Sequence, residues 1–131
     1  MVQRLLQTAL AMQGIPYRSG GEDPSTGFDC SGFVRYVFSD QGIDVPRTVR
    51  EQFGYGRKIG DREIQPGDLL FFSIESSGAT HVGIAIDPAY APVATSERPF
   101  IHAPGENGVV RIETLGATYW RARFVGARRL F

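Results

Sequence analysis

Apolar positions recur at helical spacing in the first part of the chain and at strand spacing in the rest. Val2, Leu5, Leu6, Ala9 and Leu10 fall on one helical face, and Gly14, Ile15 and Pro16 end that run. "YRSGGEDPSTG" then reads as a loop dense in Gly, Ser, Pro and Asp. In "GFDCSGFVRYVF" a second stripe follows: Cys30, Phe33, Val34, Val37 and Phe38 lie on one inward face, with Asp29 placed to cap the helix start. Gly42 stops this helix, and "VPRTVREQFG" predicts a third, short one with Pro46 near its start.

From Gln65 onward the period changes. "DLLFFSI", "HVGIAI", "PFIHA", "VVRIE" and "RFVGARRL" are short β-type runs separated by Gly, Pro, Asp and Asn. Helices first and strands second predict an α+β fold, with N-terminal helices packed on one face of a C-terminal antiparallel β-sheet. There is no repeat, linker or low-complexity run, so residues 1–131 read as a single domain.

Composition narrows the function classes. Acidic and basic side chains balance at 14 each, which argues against nucleic acid or an anionic membrane surface as the main partner. Lys58 is the sole lysine, so the basic set is almost all arginine, suited to planar contacts with carboxylates. No stretch approaches the roughly 18 apolar residues of a membrane span. The start "MVQRLLQTALAMQG" lacks the apolar core and cleavage site of an export signal and reads as an amphipathic helix.

The chain has one cysteine, so an intrachain disulfide is impossible. A thiol at a helix N-terminus feels the positive end of the helix dipole, which favours the nucleophilic thiolate. Against this stands inert packing, the ordinary fate of a lone cysteine on an apolar face. Alternation in "HVGIAI" sends Val82, Ile84 and Ile86 to one side and His81, Gly83 and Ala85 to the other. The small residues beside His81 would let the Cys30 helix approach that face, bringing thiol and imidazole together. His102, on a neighbouring strand, would orient His81 by accepting its other ring N–H. A half-buried, hydrogen-bonded role remains open for each histidine. Zinc held by the one Cys and two His is the competing reading, although short-spaced ligand pairs of the CxxC or HxxxH kind are missing.

Over nearly its whole length the sequence resembles the NlpC-type cell-wall cysteine peptidases, papain-like bacterial enzymes. The segments that carry the resemblance are "GIPYRSGG", "GFDCSGFVRYVF", "VPRTVREQ", "QPGDLLFF", "HVGIAI", "FIHAPGENGVVRIE" and "YWRARFVGARRL", in the family's order. The resemblance implies a papain-like fold, Cys30 as nucleophile, His81 as general base and then acid, and His102 as the third polar residue. It places Tyr17 in the oxyanion region, where the Cys30 backbone N–H is a second candidate donor. It implies a substrate-binding role for Asp29 and Ser31, with helix capping as the alternative. Arg47 could pair with a substrate carboxylate or serve the scaffold.

The implied substrate is the stem peptide of peptidoglycan, cut between γ-D-glutamate and diaminopimelate or lysine, with no cofactor and in the cell envelope. Alternatives are an amidase or acyltransferase on the same scaffold, or a non-catalytic wall-binding module of a larger assembly. The chain departs from the family pattern in two places. Ser19 stands where tryptophan is frequent, and "DPAYAPVATSERP" lengthens the connection after "HVGIAI", where it could cover the cleft.

Overall fold

A computed structural model describes residues 2–75, 77–90 and 98–131. The chain begins with helix α1 (Val2–Ala11), whose Leu5, Leu6 and Ala9 are buried. A two-residue hairpin, β1 (Glu22–Asp23) and β2 (Gly27–Phe28), leads into α2 (Cys30–Ser39). Asp29 caps α2 by accepting the Gly32 N–H. Burying Phe33, Val34, Val37 and Phe38 of α2 stabilises the fold by roughly 1.5–3 kcal/mol per side chain. Helix α3 (Val49–Phe53) opens on a capping box in which Thr48 and Glu51 satisfy each other's backbone N–H groups.

The second half supplies β3 (Arg57–Ile59), β4 (Leu69–Phe72), β5 (His81–Ala85), β6 (Pro99–His102) and β7 (Arg111–Thr114). A short helix α4 (Thr118–Arg123) then runs directly into β8 (Phe124–Arg129). These strands form one antiparallel sheet in the order β3-β8-β4-β5-β6-β7.

The sheet is buried on both faces. Helices α1 to α3 do cover one face, with Leu69, Phe71, Val82, Ile84 and Ile101 pointing at them. The other face is covered as well, by Trp120 of α4 and Leu115, packed on Leu70, Phe72, Ala85 and Phe100. The sequence "YWRARF" therefore starts as helix before it becomes strand.

One expectation is corrected, at β5. The Cys30 helix packs on the Val82 and Ile84 face, and His81, Gly83 and Ala85 face the Trp120 side. Gly83 makes room not for the helix but for its neighbours on β6. A Cβ there would meet Phe100 Cδ2 at 2.9 Å and His102 Cβ at 3.2 Å. Residues 91–97 of the long connection expected to cover the cleft lie outside the described residues.

Candidate active site

Cys30 is the first residue of α2, and its side chain reaches the beginning of β5. The β5–β6 ladder pairs Ile84 with Ile101 and Ala85 with Phe100, and at Val82 the backbone N–H donates to the Cys30 thiol instead. The N–H groups of Cys30 and Ser31, the first donors of α2, are also directed at the sulfur. So α2 lies on one face of the sheet while its first residue meets the strand edge next to His81. The thiol thus lies at the residue that follows His81 in β5, at a corner of the sheet and not across its packed face.

The helix dipole alone would lower the thiol. Burial is the larger effect and pushes Cys30 up to about 11; the Val82 N–H opposes this, and the negative charge of Asp29 adds to it. His81 is pushed down to about 3 by burial, with the neighbouring His102 adding to the shift. At neutral pH Cys30 therefore rests as a thiol and His81 as a neutral imidazole.

Three adjacent strands present polar side chains to the face opposite α2. His81 on β5 lies with Nε2 2.7 Å from His102 Nδ1 on β6. His102 Nε2 lies 2.7 Å from Glu113 Oε2 on β7. Burial depresses His102, while the hydrogen bond to Glu113 works the other way. Glu113 is held down at about 2: partial burial disfavours its charge, but hydrogen bonds from His102, Trp120 and Arg111 outweigh that cost. The Trp120 indole stacks on His81 with centroids 5.5 Å apart and planes 28° apart. It also donates Nε1–H to Glu113 Oε1 at 2.9 Å.

Neither Glu113 nor Trp120 stands out in the sequence as a site residue. The only available signal was the strand alternation in "VVRIE", which puts Arg111 and Glu113 on one face.

Tyr17 follows α1 and bridges to Phe28. Its phenol is raised by partial burial, and the charges of Cys30 and Asp29 act on it in the same direction.

Asp29 and Ser31 are bound into the scaffold around Arg47. Arg47 Nη2 meets Asp29 Oδ2 at 2.8 Å, and its Nη1 donates to Asp29 Oδ1 at 3.1 Å and to Ser31 Oγ at 2.9 Å. The remaining Asp29 acceptor capacity goes to the N–H groups of Gly20 and Gly32. Capping and loop anchoring thus occupy Asp29, and its carboxylate pairs with Arg47.

The sequence model of the NlpC/P60 family matches residues 14–129. A gamma-DL-glutamyl hydrolase of Bacillus subtilis (strain 168) is 32% identical over 126 residues, covering 96% of this chain and 29% of that protein. The murein DD-endopeptidase MepH of Escherichia coli (strain K12) is 38% identical over 121 residues, covering 89% of this chain and 41% of that protein. This chain therefore spans less than half the length of either relative. The crystal structure of the NlpC/p60 domain of the peptidoglycan hydrolase SagA superposes with a TM-score of 0.78 at 33% identity, covering 99% of both chains.

Proposed function

The chain belongs to the NlpC/P60 family, and from that premise we propose that residues 1–131 form a single catalytic domain that hydrolyses a stem-peptide amide of peptidoglycan. The bond we favour joins γ-D-glutamate to diaminopimelate or lysine, in keeping with the B. subtilis relative named for γ-glutamyl hydrolysis. The site of action on this reading is the cell envelope. Among the described residues, no helix is long and apolar enough to cross a membrane.

One observation carries the proposal: a thiol ringed by backbone N–H groups sits at the strand end that bears a hydrogen-bonded histidine pair. On this reading Cys30 Sγ attacks the substrate carbonyl, and its proton passes to the His81 ring nitrogen not used by His102. Because thiol and imidazole rest neutral, this transfer accompanies attack. The tetrahedral oxyanion takes hydrogen bonds from the Cys30 N–H and the Tyr17 hydroxyl, which polarise it where charge develops. His81 then protonates the leaving amine, and water hydrolyses the thioester. His102 orients His81. Asp29 and Ser31 hold the nucleophile's turn in place, and substrate contact at either would add to that duty. The chemistry needs no cofactor.

Digestion of purified muropeptides of the diaminopimelate and lysine types, by wild type and Cys30→Ala and read by mass spectrometry, tests this. Products from wild type alone, with masses of γ-glutamyl cleavage, are expected. Products of a DD-endopeptidase cut would move the bond to the kind named for the E. coli relative. Equal products from both proteins would overturn Cys30 as nucleophile.

A further inference from the structure

We propose that Glu113 is a positioning residue that sets the protonated nitrogen of both histidines, leaving the ring nitrogen of His81 that serves Cys30 free to act as a base. The inference rests on the reading of Cys30 and His81 as nucleophile and base.

An ionised carboxylate only accepts hydrogen bonds. At 2.7 Å from Glu113 Oε2, His102 Nε2 must therefore carry the hydrogen. His102 is buried, which favours its neutral form, so Nδ1 is bare and can only accept. Across the 2.7 Å contact to His102 Nδ1, His81 Nε2 must then donate. His81 is also buried and neutral, so its Nδ1 carries no proton. One carboxylate two hydrogen bonds away thus fixes the tautomer of the base.

Glu113 is itself held rigidly. Trp120 Nε1–H donates to Oε1 at 2.9 Å and Arg111 Nε–H donates to Oε2 at 3.1 Å. Arg111 is half-exposed, and its contact alone would read as a surface ion pair. The shorter bond to a fully buried ring shows where the carboxylate is committed. Register fixes the chain of contacts: Phe100 lies opposite Glu113 and His102 opposite Arg111, so these four side chains share the face away from α2.

Glu113→Gln tests this at nearly constant shape. Its amide can present N–H to His102 Nε2, which would force the proton to Nδ1 of His102 and in turn to Nδ1 of His81. Two readouts are needed. In wild type, ¹⁵N spectra of imidazole-labelled protein at neutral pH should place the proton on Nε2 of both rings. In Glu113→Gln, with the thermal midpoint checked for folding, one or both rings should change tautomer. Alkylation of Cys30 by iodoacetamide, in which the S–C bond forms, iodide leaves and the thiol proton goes to His81, should slow by about tenfold or more.

A wild-type His102 carrying its proton on Nδ1 would overturn the proposal even if the variant failed to fold. So would a folded Glu113→Gln alkylated as fast as wild type. Iodoacetamide contains no wall chemistry, so this outcome is independent of whether muropeptides are the substrate.

Discussion

The Asp68 carboxylate at the foot of β4 is gripped by two nitrogens of Arg129 on β8, with Nε 2.7 Å from Oδ1 and Nη2 2.8 Å from Oδ2. Asp68 is fully buried and also accepts the Gln65 N–H. The pair ties the turn before β4 to the C-terminal strand, next to the seam where β8 enters the sheet between β3 and β4.

Removing only the cation strands a buried charge. Arg129→Met should cost about 3–5 kcal/mol in urea unfolding, whereas the double variant Arg129→Met/Asp68→Asn should recover a large part of that loss. A single-variant cost below about 1 kcal/mol would show that water reaches Asp68 and replaces the guanidinium.

Acid should destabilise the fold through its histidines. The His81 ring titrates near 6.5 when unfolded but about 3 when folded. As pH falls through the upper value the unfolded chain binds the proton first, so stability is complete above about pH 6.5 and is lost toward pH 3. At about pH 4.5 His81 alone accounts for roughly 2–3 kcal/mol. His102, shifted in the same direction, adds to this. Glu113, at about 2 when folded against an ordinary 4.5, adds a further loss below that ordinary value. Urea midpoints measured across this range should fall steadily in wild type and less steeply in His81→Gln.

Burial of Cys30 also predicts the state of the resting thiol. The difference in far-ultraviolet thiolate absorbance between wild type and Cys30→Ala should be absent at neutral pH and appear only above about pH 9. A signal at neutral pH would mean a preformed thiolate–imidazolium pair and would overturn general-base transfer during attack.

Gly32 is where helix α2 touches the preceding loop. A Cβ there would collide with the Gly21 carbonyl oxygen and come within 2.9 Å of Asp29 Oδ1. The obstructing atoms include backbone, which has little room to shift. Gly32→Ala should lower the thermal midpoint by about 4–12 °C through overpacking of about 1–3 kcal/mol. Gly105→Ala, whose Cβ would meet nothing within 4 Å, serves as the neutral control.

Much of this architecture can be read in the chain because its patterns are local. The stripe Cys30, Phe33, Val34, Val37, Phe38 is a helical face, and α2 buries the four apolar members behind the thiol. The apolar runs at 69–72, 81–85 and 99–102 are strands for the same reason. Alternation in β5 separates Val82 and Ile84 from His81 and Gly83, but it does not say which face receives helices. All five residues of β5 are buried, so neither face is marked by polarity. β3 is only three residues long, mostly exposed and charged, too short to carry a period. Glu113 escapes notice because its partners come from β6 and α4, and register between strands is not written in either strand alone.

On the proposed mechanism the nucleophile and its base come from separate halves of the chain: the thiol from the helical half, the imidazole from the sheet. Chemistry therefore depends on an internal docking event between parts that share no local sequence. A slight separation of α2 from the start of β5 would part sulfur from ring nitrogen while most of both cores stayed packed. Heating or denaturant should thus silence the reactive thiol before the protein melts, making catalysis a more sensitive gauge of that seam than any global measure of folding.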